Sequence, residues 1–446
     1  MLSACGGSSS TQPVPETSPP APEQTPFEVR VAILNSELAP LDSTLPGPAT
    51  DDLLPLSRLA AARVIGMGEA THGTREFFHL KHKIFRWLVE EHGATVFAIE
   101  SDIAEGYFLD QYVQTGEGDL ESMMLERMHY WTWYTEEVRD LIQWMADYNA
   151  ANPDAEPLRY IGIDCQTVGM QPEAMMELIN VASPELSEQV EAAISPLDVG
   201  MYEAWPFYQE MPQQEYDQIR AQLLDLQATL AANRDELVAG ATLQDYHMLM
   251  YLLKSLIDGH RSTFDDFNVP DLQPRSEARE RCMADNVQLI EDLAGPGVRV
   301  GLWAHNGHVA ATPYFQGWPT MGSHLREELG NEYQVIGFSF SHGDFMAQRS
   351  GVGLLQQSIP LPPLPGSITE LLHAADSEQY ILDVGGIPGS QLLDWLRESQ
   401  LFLFVGSVFD PAHDIQNYYY DVTLSPMFDA IIHIDESTAA VPLPMP

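Results

Sequence analysis

Cysteine, cationic side chains and long apolar runs are all scarce in this 446-residue chain, and each scarcity removes a class of protein. The three cysteines, Cys5, Cys165 and Cys282, form no CxxC pair, so neither a zinc knuckle nor a thioredoxin-type redox site is expected. Cys165 and Cys282 are open to two readings, a pair of buried thiols or a single disulfide. Lys and Arg together number 21 against 65 Asp and Glu, a formal charge of -44. A surface of that sign repels phosphate backbones and anionic lipid, which argues against a nucleic-acid partner. No run approaches the ~18 apolar residues of a membrane-spanning helix. The chain also lacks a GxSxG elbow, which argues against an α/β-hydrolase with an acyl-serine intermediate, and an HExxH helix, which argues against a zincin.

What is present begins at the N-terminus. Leu2-Ser3-Ala4-Cys5 has the small-residue pattern of a bacterial lipoprotein cleavage box, and Gly6, Gly7 and a Ser/Thr/Pro-rich stretch follow, to about Pro26. This predicts a leader remnant and flexible tether over 1–27, lipid on Cys5 as the single membrane attachment, and an extracytoplasmic location. Residues 28–446 then form the folded body, and at 45% hydrophobic composition the chain can bury a large core.

Within the body, short apolar runs alternate with amphipathic segments. Strands are predicted at Arg63–Gly68, Thr95–Glu100, Tyr160–Asp164, Val298–Ala304, Gln334–Phe340, Tyr380–Val384, Leu401–Val405 and Ala430–Ile434. The periodic positions Phe78, Ile84, Phe85, Leu88 and Val89 mark a helix closed by Gly93. Such alternation indicates an α/β fold, a central largely parallel or mixed sheet flanked by helices. From about Gln171 to His260 no strand is predicted and the pattern is helical, so that segment reads as a helical insertion packed over the sheet.

The polar residues that follow these strands carry the chemistry. Gly68-Glu69-Ala70-Thr71-His72-Gly73 follows one strand, Glu100 ends the next, Asp164 ends a third, and His305-Asn306-Gly307-His308 follows a fourth. Active sites of parallel sheets collect at the carboxyl ends of strands, so these acids and imidazoles are expected on one rim. Converging groups of this kind supply one another with partners and shift one another's pKa, which general acid-base catalysis requires. The aromatic cluster Tyr130, Trp131, Trp133 and Tyr134 offers either an apolar wall for a bulky substrate, with Asp164 beside it, or ordinary core packing.

In order and spacing, GEATHG, the strand ending Ile99-Glu100, the Trp131 to Asn149 segment, Met283-Ala284-Asp285-Asn286 and WAHNGHVA resemble the erythromycin-esterase-like proteins. The C-terminal segment from Phe428 to Leu443 is similar to that family's end. The resemblance implies active-site roles for Glu69, His72, Glu100, His305 and His308. It also places Lys81 where the family commonly has an arginine, a change that keeps the charge but loses the bidentate fork. It further implies hydrolysis of a small-molecule ester or lactone, such as a macrolide, by histidine-activated water and without a cofactor. His72 is assigned as general base, Glu69 and Glu100 as its orienting acids, and His305 and His308 as donors to the oxyanion or leaving alcohol.

Two alternatives use the same residues differently. Glu69, His72, His305 and His308 are ligand types for a divalent metal such as zinc, and a metal-bound hydroxide would activate water equally well. A non-catalytic lipoprotein would instead bind a hydrophobic small molecule on the aromatic wall, and it would not need five converging acid-base groups.

Overall fold

The computed structural model describes residues 25–313 and 316–444. Cys5 and most of the expected tether lie outside them. Nine strands form the main sheet in the order β1-β8-β11-β6-β2-β5-β3-β4, with β7 paired to an extension of β6. They are β1 (Ala39–Pro40), β2 (Val64–Met67), β3 (Val96–Asp102), β4 (Arg159–Asp164), β5 (Val300–Trp303), β6 (Tyr333–Arg349), β7 (Gly353–Ile359), β8 (Gln379–Leu382) and β11 (Ala430–Ser437). From β11 to β4 every pairing is parallel, while β1, β7 and β8 join antiparallel. The sheet is therefore mixed, with a parallel centre.

Both faces of that centre are buried, which is why its strands read as unbroken apolar runs. Along β3, Val96 and Ala98 enter one core with Val64, Val300 and Leu302, while Phe97 and Ile99 enter the other with Ile65, Met67 and Trp303. The first core is roofed by helices from Gln171 to Ala294, ending in Leu243–Asn268 and Leu272–Ala294. Helical structure thus continues beyond the expected limit at His260. The second core is covered by Arg75–His92 and Glu136–Ala151. The former stops at Gly93, whose φ of +70° suits a residue without a Cβ.

Two local departures from the sequence reading have simple causes, and one open alternative is resolved. The segment expected as a sheet strand at Leu401–Val405 forms β9 (Gln400–Leu403), which pairs only with β10 (Tyr419–Val422) in a separate two-stranded ribbon. Its length and composition suit either partner, and periodicity carries no pairing information. β6 runs nine residues past Phe340 to Arg349, because its polar end is paired by β7, which the alternation did not reveal. Cys165 and Cys282, left open between thiols and a bridge, are joined in a disulfide with Cα atoms 6.6 Å apart. Among the described residues, no helix is long and apolar enough to cross a membrane.

Candidate active site

Strands β2, β5, β3 and β4 are consecutive neighbours, so their carboxyl ends deliver Glu69, His305, Glu100 and Asp164 to one rim. The glycines of GEATHG allow the crowding there. A Cβ on Gly68 would lie 2.0 Å from Asn306 Oδ1, and one on Gly73 would lie 2.1 Å from the Met346 carbonyl oxygen. Asn306 uses its side chain as a strand would use its backbone: Nδ2 donates to Phe338 O at 2.7 Å, and Oδ1 accepts from Phe338 N at 3.0 Å. That amide pins the His305–His308 turn to β6.

On the β2 side, Glu69 is fully buried, and each carboxylate oxygen is occupied. Oε1 lies 2.7 Å from His72 Nδ1, while Oε2 accepts from Trp303 Nε1 at 2.7 Å and from Lys81 Nζ at 3.1 Å. Burial pushes the Glu69 pKa up, but the charge of Lys81 and the hydrogen bond from His72 outweigh it and hold the carboxyl below its usual value. An ionised Glu69 can only accept, so His72 Nδ1 carries the proton shared with it, and Nε2 is the nitrogen left outside this pair. Lys81 is itself buried against Phe338 and Trp303, and burial, partly offset by Glu69, pushes its pKa down to about 8.

On the β3 and β4 side the arrangement is ionic. Arg279, from the Leu272–Ala294 helix, donates through Nε and Nη2 to Asp164 at 3.0 and 2.8 Å, and through Nη2 to Glu100 Oε1 at 2.8 Å. Glu100 Oε2 accepts from the His305 backbone N–H at 2.9 Å. His308 Nδ1 lies 2.5 Å from Glu280 Oε1, and its Nε2 lies 3.2 Å from both Glu100 Oε1 and Arg279 Nη1. Burial opposes protonation of this ring, but Glu100 and Glu280 outweigh both burial and Arg279, raising its pKa to about 10. Glu100 is also desolvated, yet His308 and Arg279 hold its pKa well below the carboxylate range.

His305 sits between these halves, its ring 5.0 Å from that of His72 and 6.4 Å from that of His308. Burial, then the charges of His72 and His308, push its pKa down to about 3. Nδ1 accepts from Gly307 N at 3.1 Å, so Nε2 carries the proton and donates to Val405 O at 3.2 Å. Both nitrogens of this neutral imidazole are thereby committed.

The rings and charges open onto a cavity of about 390 Å³ lined by His72, Glu100, Tyr130, Trp131, Thr132, Trp133, His305, His308 and Arg279, with Gln166, Phe404, Gly406, Ser407 and Tyr420 completing the wall. Of the residues singled out in the sequence, Glu69 and Lys81 stand behind His72 and outside the lining. Asp164 likewise buttresses Arg279 instead of facing the cavity as expected of a binding residue. Tyr134 is also absent from the wall: its hydroxyl donates to Pro444 O at 3.2 Å, because the C-terminal segment crosses there. Glu100, expected to orient His72, spends its hydrogen bonds on Arg279, His308 and the His305 N–H.

Arg279 and Glu280 were missed because they lie on a helix without strand-end context. The sequence-level signal was the helical spacing of Arg279, Cys282 and Asn286, whose meaning the structure supplies. Asn286 Nδ2 donates to Ile163 O at 2.8 Å and Cys282 joins Cys165, so residues 279, 282 and 286 share the helix face laid along the end of β4.

The chain is 25% identical over 317 residues to erythromycin esterase type II of Escherichia coli, covering 66% of this chain and 73% of that protein. It is 23% identical over 430 residues to a putative hydrolase, YbfO, of Bacillus subtilis strain 168, covering 90% of each. Its fold is shared with an erythromycin esterase mutant solved in an open conformation, with TM-score 0.67, 19% identity, and 88% and 96% of the two chains covered. The erythromycin esterase family model matches residues 89–437. That span holds Glu100, Arg279, His305 and His308, and the fold brings His72, which precedes it, to the same cavity with Glu69 hydrogen-bonded behind it. By this match across most of its length, the chain belongs to the erythromycin esterase family.

Proposed function

We propose that this protein is a carboxylic ester hydrolase, with a macrolide lactone or another bulky cyclic or aromatic ester as substrate. In this reading His72 removes a proton from water and no acyl-enzyme forms. The observation that carries it is the Glu69–His72 pair: a buried anion fixes the Nδ1–H tautomer and leaves Nε2 as the base on a residue that lines the cavity. Arg279 and the imidazolium of His308 then supply fixed positive charge for the developing oxyanion. Neutral His305, with both nitrogens engaged, serves to position the wall. This revises the expected donor role for His305 and narrows that of His308 to electrostatics, since a group with a pKa near 10 holds its proton at neutral pH.

The donor chemistry supports a site that works without a metal. Both ring nitrogens of His305 are engaged in hydrogen bonds and His308 is held between Glu100 and Glu280, so neither ring is presented to the cavity as a free ligand. Purified protein assayed on macrolides, simple lactones and aryl esters tests the reading, with initial rates taken before and after chelation. We expect turnover that survives chelation. Chelator-sensitive turnover restored by zinc would establish the metal alternative, and tight macrolide binding without any hydrolysis would establish the binding-protein alternative.

The N-terminal pattern supports a lipoprotein tethered outside the cytoplasm through Cys5. Mass spectrometry of the native protein should find diacylglycerol on Cys5. A mature cytoplasmic form retaining Met1 would remove this part of the reading.

A further inference from the structure

Away from the cavity, His342 midway along β6, His373 at the end of the Ile368–His373 helix and Asp435 on β11 each offer one ligand atom, and these atoms all lie within 4.8 Å of one another. No other trio or larger group of His, Cys, Asp and Glu among the described residues meets this geometry. His373 Nδ1 is 2.6 Å from Asp435 Oδ1. The His342 ring lies 6.1 Å from that of His373, and its buried Nδ1 has no hydrogen-bond partner, an unsatisfied donor or acceptor on one of the three clustered residues.

The surroundings are those of a ligand set with outer support. His433 is fully buried behind Asp435, with Nδ1 3.1 Å from Ser339 Oγ and Nε2 3.3 Å from Ser341 Oγ and 3.7 Å from Asp435 Oδ1. His433 Nε2 and His373 Nδ1 thus approach Asp435 Oδ1 from two sides, the outer support that orients a ligating carboxylate. The side chains of His373 and Asp435 remain partly exposed, at 31% and 19%, which leaves an entry path from solvent.

We propose that His342, His373 and Asp435 bind one divalent first-row transition metal ion, zinc in the first instance, at a structural site distinct from the catalytic cavity. Two imidazoles and one carboxylate suit Zn²⁺ far better than Ca²⁺ or Mg²⁺, which prefer all-oxygen shells. None of the three residues lines the cavity. The ion ties the Ile368–His373 helix to β6 and β11, three elements far apart in sequence, so its binding stabilises the fold instead of activating water.

The test uses the untagged full chain, stripped with a chelator and dialysed into buffer with excess Mg²⁺ to occupy the acidic surface. Zn²⁺ is titrated by calorimetry and thermal unfolding, and Co²⁺ by its visible absorption. We expect one Zn²⁺ per chain, a raised Tm and a Co²⁺ spectrum of low-coordinate nitrogen and oxygen ligands. Asp435→Asn and His373→Gln, each checked for folding by circular dichroism, should weaken Zn²⁺ by at least ~100-fold, the upper end of the loss seen when an outer partner is removed. His72→Ala should bind Zn²⁺ as the unaltered protein does. Absence of Zn²⁺ binding overturns the proposal, as does binding that survives both cluster variants or is lost in His72→Ala.

Discussion

The two sides of the cavity are built from the same residue types and reach opposite electrical states. On the β2 side a carboxylate backed by a buried lysine and an indole N–H holds a histidine by one nitrogen and leaves the other free. On the β3 and β4 side carboxylates surround a histidine and an arginine and keep both charged. The imidazole between two carboxylates is held as a cation, while the other is bound by a single carboxylate that is itself paired with Lys81. The division of labour proposed for His72 and His308 follows from their partners.

The sharpest way to break the comparison is to remove the cation that both Glu100 and Asp164 depend on. Arg279→Met should cost about 3–5 kcal/mol of stability, because it strands buried carboxylates, and activity should fall with it. Urea unfolding measures the loss. A cost under ~1 kcal/mol would mean the network is solvated and has the weight of a surface pair.

A smaller effect is expected from titrating His308. Its folded pKa is raised above the unfolded value, so its contribution to stability is fully present below pH 6.5 and is lost as pH rises toward about 10. Lys81 has the opposite sign. Its folded pKa is lowered to about 8, so its protonated form burdens the fold at neutral pH and the burden lifts between about 8 and 10.5. His308→Gln should therefore remove the decline that begins above pH 6.5 and leave the Lys81 rise. An unchanged stability profile in that variant would contradict the assignment of His308 as the cation.

The covalent route is tested by rapid quench. Ser407 lines the cavity, and if it were a nucleophile an aryl ester would release a burst of alcohol that Ser407→Ala abolishes. We expect no burst and near-normal turnover in Ser407→Ala. The smallest expected effect concerns substrate charge. With a formal charge of -44, the protein should favour matched cationic over anionic esters at low ionic strength, and the preference should fade as salt shortens the Debye length to ~10 Å at 0.1 M. A preference that does not respond to salt would place its origin inside the cavity.

The same contrast explains what could be read from the sequence. The β2 half is local: Glu69 and His72 are three residues apart and Lys81 follows on the next helix, so strand, loop and helix patterns suffice to place them together. Glu100, Asp164 and His305 were also legible, since a polar residue closing an apolar run marks a strand end. What was not legible is which acid serves which histidine. Glu100 and Glu69 look alike in sequence, and only the arrival of Arg279 across the sheet shows that Glu100 belongs to His308. Tyr134 failed for a similar reason, because its partner Pro444 lies 310 residues away.

The account rests most heavily on Glu69 and His72 acting as one base. Its most direct test is a double-mutant cycle on kcat/KM with Glu69→Gln and His72→Ala, folding verified for each. Removing the general base should cost ~100-fold or more, and Glu69→Gln should be nearly as damaging, because a neutral amide cannot stabilise the imidazolium that forms. The double variant should be no slower than His72→Ala alone, since an orienting acid has nothing left to orient. Additive losses, or near-normal turnover in folded His72→Ala, would contradict the account.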